Sequence, residues 1–289
     1  MKLPVTDEIQ DFVIKNNELE LALIGCRADS PQNSYDCCEY DIAILGGNTK
    51  DNFDKKIIEL GNNTLEFLNF PIQNGYNYIA LSNMIKLDDS NTLISETPKV
   101  DRKKLFIAAG KRRIVDSLYI VSKNSSAKAE LNASLNLKIA AYDFIEGILL
   151  MSGTRPMPIH ELNQLRQVEV NKDFINEAIQ TCIECLGIER ATRTIINRSS
   201  RALREILKER YDVELLSSKI KFLLDNGLLA DCYYYIGKLV CSHLEKKDNA
   251  SQINYHKLNS IALDLTNDYE KVKKMSALVK RDCKLVLKN

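Results

Sequence analysis

The chain has 289 residues, with 40 Lys and Arg against 39 Asp and Glu, so its formal net charge is +1. That balance excludes a bulk electrostatic pull toward nucleic acid or an anionic membrane, and any basic site has to be local. The length suits one large domain or two ordinary ones, and two are expected here. The eight cysteines follow no disulfide framework. Neither a secretory leader nor a long apolar span is legible, so the expectation is a reduced, cytoplasmic protein with no membrane partner.

In chain order, Thr6-Asp7 followed by Ile9, Phe12 and Val13 predicts a capped amphipathic helix ending near Asn16-Asn17. The short apolar run Glu20 to Ile24 reads as a strand that stops at Gly25-Cys26-Arg27, where a glycine lets backbone N–H groups come close to a ligand. After a polar loop, Glu39 to Leu45 reads as a second strand. Alternate strand side chains share a face, so Glu39 and Asp41 point one way while Tyr40, Ile42 and Ile44 point into the opposite layer. Two adjacent carboxylates repel unless solvent or a divalent cation neutralises them, and an oxygen-only set suits Mg2+ or Mn2+.

Gly46-Gly47-Asn48 marks a turn. Phe53, Ile57, Ile58 and Leu60 at helical spacing, with Gly61-Asn62 behind them as a left-handed cap, predict a crossover helix from Asp51. Thr64 to Phe70 reads as a strand stopped by Pro71. Its acidic residue, Glu66, has two readings: a third carboxylate beside the first two, or the solvent-facing residue of an edge strand. A short helix within 76–83 leads to a strand at 84–87, and Asp88 to Asn91 reads as a turn.

At these residues the chain resembles the nucleotidyltransferase superfamily of the DNA polymerase beta-like fold. The features that carry the likeness are Gly25-Cys26 after a strand, the Glu39-Tyr40-Asp41 triplet opening the next strand with twelve residues between, and Leu65-Glu66-Phe67 on a neighbour. Cys26 stands where the family usually has serine, and Glu39 where aspartate is commoner. The resemblance implies a Mg2+- or Mn2+-dependent transfer of a nucleoside monophosphate from an NTP to an acceptor hydroxyl. It casts Glu39, Asp41 and Glu66 as metal ligands and catalytic groups, and Gly25, Cys26 and Arg27 as nucleotide-binding residues. The alternative is a nucleotide-binding or interaction protein of the same fold whose transferase site has decayed. The acceptor is not readable: a small molecule, a protein side chain and an RNA end all fit, and self-association is compatible with the sequence.

Beyond about Pro98 long helical periodicities take over. The expected fold is therefore α+β, with a small mixed α/β nucleotidyltransferase-like domain over 1–97 and a helical domain over 98–289, subdivided near 170–190. A helix over 101–123 carries Lys103, Lys104, Lys111, Arg112 and Arg113, either a cationic site for an anion or a solvated face. The next, over 127–152, is expected to bury one stripe. Gly153 and the prolines 156 and 158 interrupt the pattern before a short helix from Ile159. This long helix, proline break and short helix loosely resemble helical domains attached to small-molecule nucleotidyltransferases and HEPN-type modules. Arg155 and His160 have the spacing of HEPN ribonucleases, but two prolines between them argue against that helical site. Cys182-Ile183-Glu184-Cys185 reads as packing within a helix or as half of a metal site. Further helices are expected near 173–187, 190–210, 213–226, 228–247 and 251–284, with breaks at Gly187, Gly227 and Asn249. The arginines at 190, 193, 198, 201 and 204 form a basic stretch that could meet phosphates or a partner.

Overall fold

A computed structural model describes residues 5–15, 20–45, 56–70, 77–81, 83–87, 101–123, 130–168, 173–208, 211–244 and 256–288. The expected turns at 46–48 and 88–91, Phe53, and the break at Asn249 lie outside the described residues. The chain is mixed α+β and divides into two compact units, Met1–Leu105 and Phe106–Asn289. No helix among the described residues is long and apolar enough to cross a membrane.

In the first unit, five strands form one sheet. They are β1 (Glu20–Ile24), β2 (Tyr40–Leu45), β3 (Lys56–Leu60), β4 (Asn63–Phe70) and β5 (Ile85–Leu87), in the order β3-β4-β2-β1-β5. The β2–β4 pair is parallel, and the other neighbours are antiparallel. Helix α1 (Asp7–Lys15) covers one face, because the strict alternation of the strands hands that face a continuous apolar set. Ile9 and Val13 pack there with Leu21, Leu23, Tyr40, Ile42, Ile44, Leu65, Phe67 and Leu87. The rings of Phe12 and Phe67 lie 5.5 Å apart. The opposite face carries the smaller cluster Ala22, Ile24, Ala43 and Leu81. One-turn helices α2 (Cys26–Asp29) and α3 (Asn77–Ala80) and a 3₁₀ turn over Pro31–Asn33 complete the described elements of the unit before α4, in which the boundary falls.

The crossover helix expected from Asp51 is not formed over its C-terminal half: Ile57, Ile58 and Leu60 lie on β3, which pairs antiparallel with β4 from Lys56↔Phe67 to Leu60↔Asn63. Gly61-Asn62 is the two-residue turn between them. Gly61 has φ 59°, and a glycine with positive φ at the first turn position is what a type II′ hairpin uses. The same glycine that could end a helix therefore reverses a strand.

The second unit is helical. It contains most of α4 (Arg102–Lys123), then α5 (Glu130–Met151), α6 (Glu161–Gln167), α7 (Asp173–Leu186), α8 (Arg193–Leu207), α9 (Val213–Asp225), α10 (Leu229–Leu244), α11 (His256–Ala262) and α12 (Tyr269–Lys288). Helix α5 is buried all round over 137–145 rather than along one stripe, and α6, α7, α10 and α12 pack on it. An all-round apolar sequence such as Ile139-Ala140-Ala141-Tyr142 is what a central helix requires. Helix α10 is likewise enclosed, Tyr233, Tyr234 and Tyr235 included.

The single helix expected over 251–284 is two, α11 and α12. Asp264 sits between them with φ 48°, a left-handed conformation that aspartate tolerates better than most residues and that no helix continues through. Gly187 and Gly227, also at positive φ, end α7 and α9 as their positions suggested.

Candidate carboxylate site at the glycine turn

Strand β1 ends at Ile24, which pairs with Asp41. On the other side of β2, Asp41 is in register with Glu66 of β4. Because β2 lies between β1 and β4, Asp41 is flanked by the glycine turn on one side and a second carboxylate on the other. Glu39, two residues before Asp41 and immediately before β2, reaches the same place. One carboxylate oxygen from each of Glu39, Asp41 and Glu66 lies within 4.8 Å of the others. All three belong to the first unit, and Asp41 and Glu66 project on the face away from α1.

Glu66 is 7% exposed and β4 lies between β3 and β2, so the edge-strand reading of this residue is set aside. Atom Oε2 of Glu39 is closed off from solvent. Three carboxylates this close, two of them largely out of water, repel strongly unless a cation shares them.

The turn that follows β1 is built around Asp41. Gly25 has φ 76° and ψ −164°, a region open essentially to glycine alone. A Cβ at this position would lie 1.9 Å from Oδ2 of Asp41. The carboxylate therefore occupies the space a side chain would need. The chain then enters α2, with Ala28 and Asp29 donating to the Gly25 carbonyl.

Cys26 is buried beside Cys38, their sulfurs within 4.8 Å. A hydrogen bond with Cys38, then burial, then the charges of Asp41 and Glu39 hold the Cys26 thiol well above its ordinary range. At neutral pH it is a thiol, a weaker donor than the hydroxyl of a serine. Arg27 holds the loop together: its Nε and Nη2 donate to the Cys38 carbonyl at 3.1 and 2.6 Å, and its guanidinium stands 4.2 Å over the Tyr40 ring. To reach a phosphate, Arg27 would have to loosen this grip. The pairing of Cys26 with Cys38 and the stacking on Tyr40 were not anticipated from the sequence. Their only trace there is two cysteines with eleven residues between them, one at each end of the loop.

The other sequence candidates have mostly structural partners. Arg190 and Arg198 both pair with Asp264, at 2.7 and 3.0 Å. Arg193 donates to the Leu224 carbonyl at the end of α9. Arg113 is tied to Glu146 and Asp143, while Lys103 and Lys111 are exposed. Cys182 and Cys185 are buried thiols, and among the described residues they join no group of three metal-donor atoms within 4.8 Å. Arg155 and His160 lie in the connection between α5 and α6, the first in a loop and the second at the turn before α6, rather than on one helix.

No protein-family profile, curated protein or solved structure matches the chain.

Proposed function

We propose that the chain is a nucleotidyltransferase, moving a nucleoside monophosphate from an NTP to an acceptor hydroxyl. The observation that carries this reading is the convergence of Glu39, Asp41 and Glu66 on one point beside a glycine turn. Oxygen atoms bonded to one Mg2+ at about 2.1 Å stand roughly 3 to 4 Å apart, so donors within 4.8 Å of one another fit one ion or an adjacent pair. An all-carboxylate set favours Mg2+ or Mn2+ over softer metals.

Divalent cations held there would neutralise charge building on the attacking and leaving oxygens. Glu39, immediately before β2, and Asp41, its second residue, would supply ligands from the start of the same strand. Glu66, the most enclosed of the three, is placed to take the proton of the acceptor hydroxyl. The Gly25-Cys26 turn offers backbone N–H groups to the phosphates, and Asp41 fills the space behind it. Replacing a serine hydroxyl by the Cys26 thiol costs one good donor, worth roughly 1 kcal/mol of binding.

A second reading, nucleotide binding without transfer, is favoured by two particulars: the neutral thiol at position 26 and the commitment of Arg27 to the Cys38 carbonyl. One experiment separates the readings. A labelled NTP is titrated with and without Mg2+ against the native chain, Glu39→Ala and Asp41→Ala, and pyrophosphate release is followed in the same samples with candidate acceptors. Metal-dependent binding lost in both variants supports the site, and pyrophosphate release supports transfer. A native chain that binds no NTP under any metal condition overturns both.

A further inference from the structure

We infer that the carboxylate site carries a thiol–disulfide switch, formed by Cys26 and Cys38, that opens and closes its phosphate turn. The inference rests on the proposed function for its consequence and on the loop's own geometry for its chemistry.

The two sulfurs are buried and lie within 4.8 Å of each other. They sit at the two ends of one loop. Cys26 opens α2 directly after Gly25, and Cys38 directly precedes Glu39. The loop holds them together by contacts that do not involve the sulfurs: Arg27 donates twice to the Cys38 carbonyl, and the Cys38 N–H donates to Tyr35. A disulfide needs its sulfurs about 2.05 Å apart. Closing the remaining gap must pull the Cys26 end of the glycine turn, a part of the proposed site, toward Cys38, which lies outside it and directly precedes Glu39. Among the described cysteines, Cys38 is the one whose sulfur lies within 4.8 Å of Cys26 in a donor group; Cys37 adjoins Cys38 too closely to bridge it without strain, and Cys182, Cys185, Cys232, Cys241 and Cys283 belong to the second unit.

The chemistry balances with a small disulfide, such as oxidised glutathione, as the oxidant. One cysteine thiolate attacks a glutathione sulfur, breaking its S–S bond and releasing one glutathione thiolate. The second cysteine then attacks the mixed disulfide, forming the Cys26–Cys38 bond and releasing the second glutathione. Two protons leave the cysteines and two electrons pass to the glutathione pair. A dithiol reductant reverses both steps.

The test equilibrates the full chain across a series of glutathione redox ratios and reads three quantities in the same samples. These are the Cys26–Cys38 bridged peptide by mass spectrometry, Mg2+-dependent NTP binding, and binding of Mn2+ alone. The expected result is a bridge whose appearance tracks a roughly tenfold to hundredfold loss of NTP binding, the scale of losing one or two hydrogen bonds to the phosphates. Reductant should restore binding. Cys38→Ser should keep the reduced chain's binding and lose the response, while Cys37→Ser should keep both. Absence of the bridged peptide at every ratio overturns the inference, as does a bridge that leaves NTP and Mn2+ binding unchanged, or a response that persists in Cys38→Ser. If the reduced chain binds neither NTP nor Mn2+, the proposed function fails and the switch with it. A failure of the switch alone leaves reduced-state binding intact, so the two are told apart.

Discussion

A methyl group at position 25 would have to share space with Oδ2 of Asp41 and adopt a backbone conformation that alanine avoids. Gly25→Ala is therefore expected to lower stability by about 1–3 kcal/mol from strain and also to push Asp41 out of line, abolishing the Mg2+-dependent NTP binding proposed for the site. Gly61→Ala is the matched comparison. Gly61 also has positive φ, but a Cβ there meets nothing within 4 Å, so this variant should lose about 1 kcal/mol and keep its binding. Urea denaturation and NTP titration of the two variants check both halves. Equal binding loss in the two would mean that the Asp41 contact is irrelevant to the site.

Glu66 shows how much of this site could be read from residues alone. Its type and its apolar neighbours were visible, but whether it faced water or the other carboxylates depended on which strand lay beside β4. That was hidden, because the approach of β4 to β2 is a long-range pairing no local pattern encodes. Glu39 and Asp41 were legible because strand alternation is local. The arginines at 190, 193 and 198 looked like a basic stretch only because their acceptors, Asp264 and the Leu224 carbonyl, are remote in sequence.

At the scale of the element, the misread segment is 57–62. Apolar residues at 57, 58 and 60 fit a helix face and a buried strand equally well, and Gly61-Asn62 suits a helix cap or a hairpin turn. The tertiary partner decides, and here it is β4. The central position of α5 was likewise missed: a single buried stripe was expected, although the sequence over 137–145 is apolar on every side apart from Lys138 and Asp143. The glycines at 110 and 147, which drew no expectation from the sequence, mark a close crossing of α4 and α5: a Cβ on Gly110 would lie 2.6 Å from the Gly147 carbonyl oxygen, and one on Gly147 would lie 2.9 Å from that of Gly110 and 2.7 Å from the Ile114 side chain.

Helix propensity alone would make either glycine-to-alanine change favourable by about 1 kcal/mol. Backbone atoms cannot step aside as a side chain can, so overpacking costing about 1–3 kcal/mol should win. Gly110→Ala and Gly147→Ala are each expected to lower the denaturation midpoint. The double variant should lose less than the sum of the two, because the first substitution already separates the helices at the point the second would strain. Additive losses would place the strain within each helix rather than at their crossing.

Over the helical unit as a whole, buried charge is distributed unequally between two lysines. Lys238 on α10 lies 2.5 Å from Glu146 of α5 and 3.5 Å from Glu161 of α6. Arg113 of α4 meets the other oxygen of Glu146 at 2.7 Å, and the Tyr234 hydroxyl donates to Glu161. Burial works against the charge on Lys238, but Glu161 and Glu146 overcome it and hold the ammonium above its ordinary range. Removing one member of such a network leaves the others uncompensated.

Lys138 of α5 has no such carboxylate in its hydrogen bonds. It donates to the Leu186 carbonyl at 2.6 Å and lies 3.5 Å from the Tyr233 hydroxyl, and burial followed by the charge of Arg190 lowers it from 10.5 to about 8. A lysine whose folded value is depressed makes the folded chain bind fewer protons than the unfolded chain between those two values. Its contribution to stability is therefore poorest below about pH 8 and improves as pH rises toward 10.5. The full displacement corresponds to roughly 3 kcal/mol at most.

Other buried groups oppose this trend. Burial raises Cys185 and Cys232 to about 12 and Cys283 to about 11 from 9.0, so the unfolded thiols ionise first and stability falls as pH passes 9. The lysine is isolated by difference. Comparing the native chain with Lys138→Met by urea denaturation at about pH 7 and about pH 10.5 subtracts the thiols, which both chains share. The native chain should gain on the variant by a few kcal/mol, up to that bound, between the two conditions. An unchanged difference would mean that Lys138 is as readily protonated in the folded chain as in the unfolded one, and that water or an acid reaches it in the core.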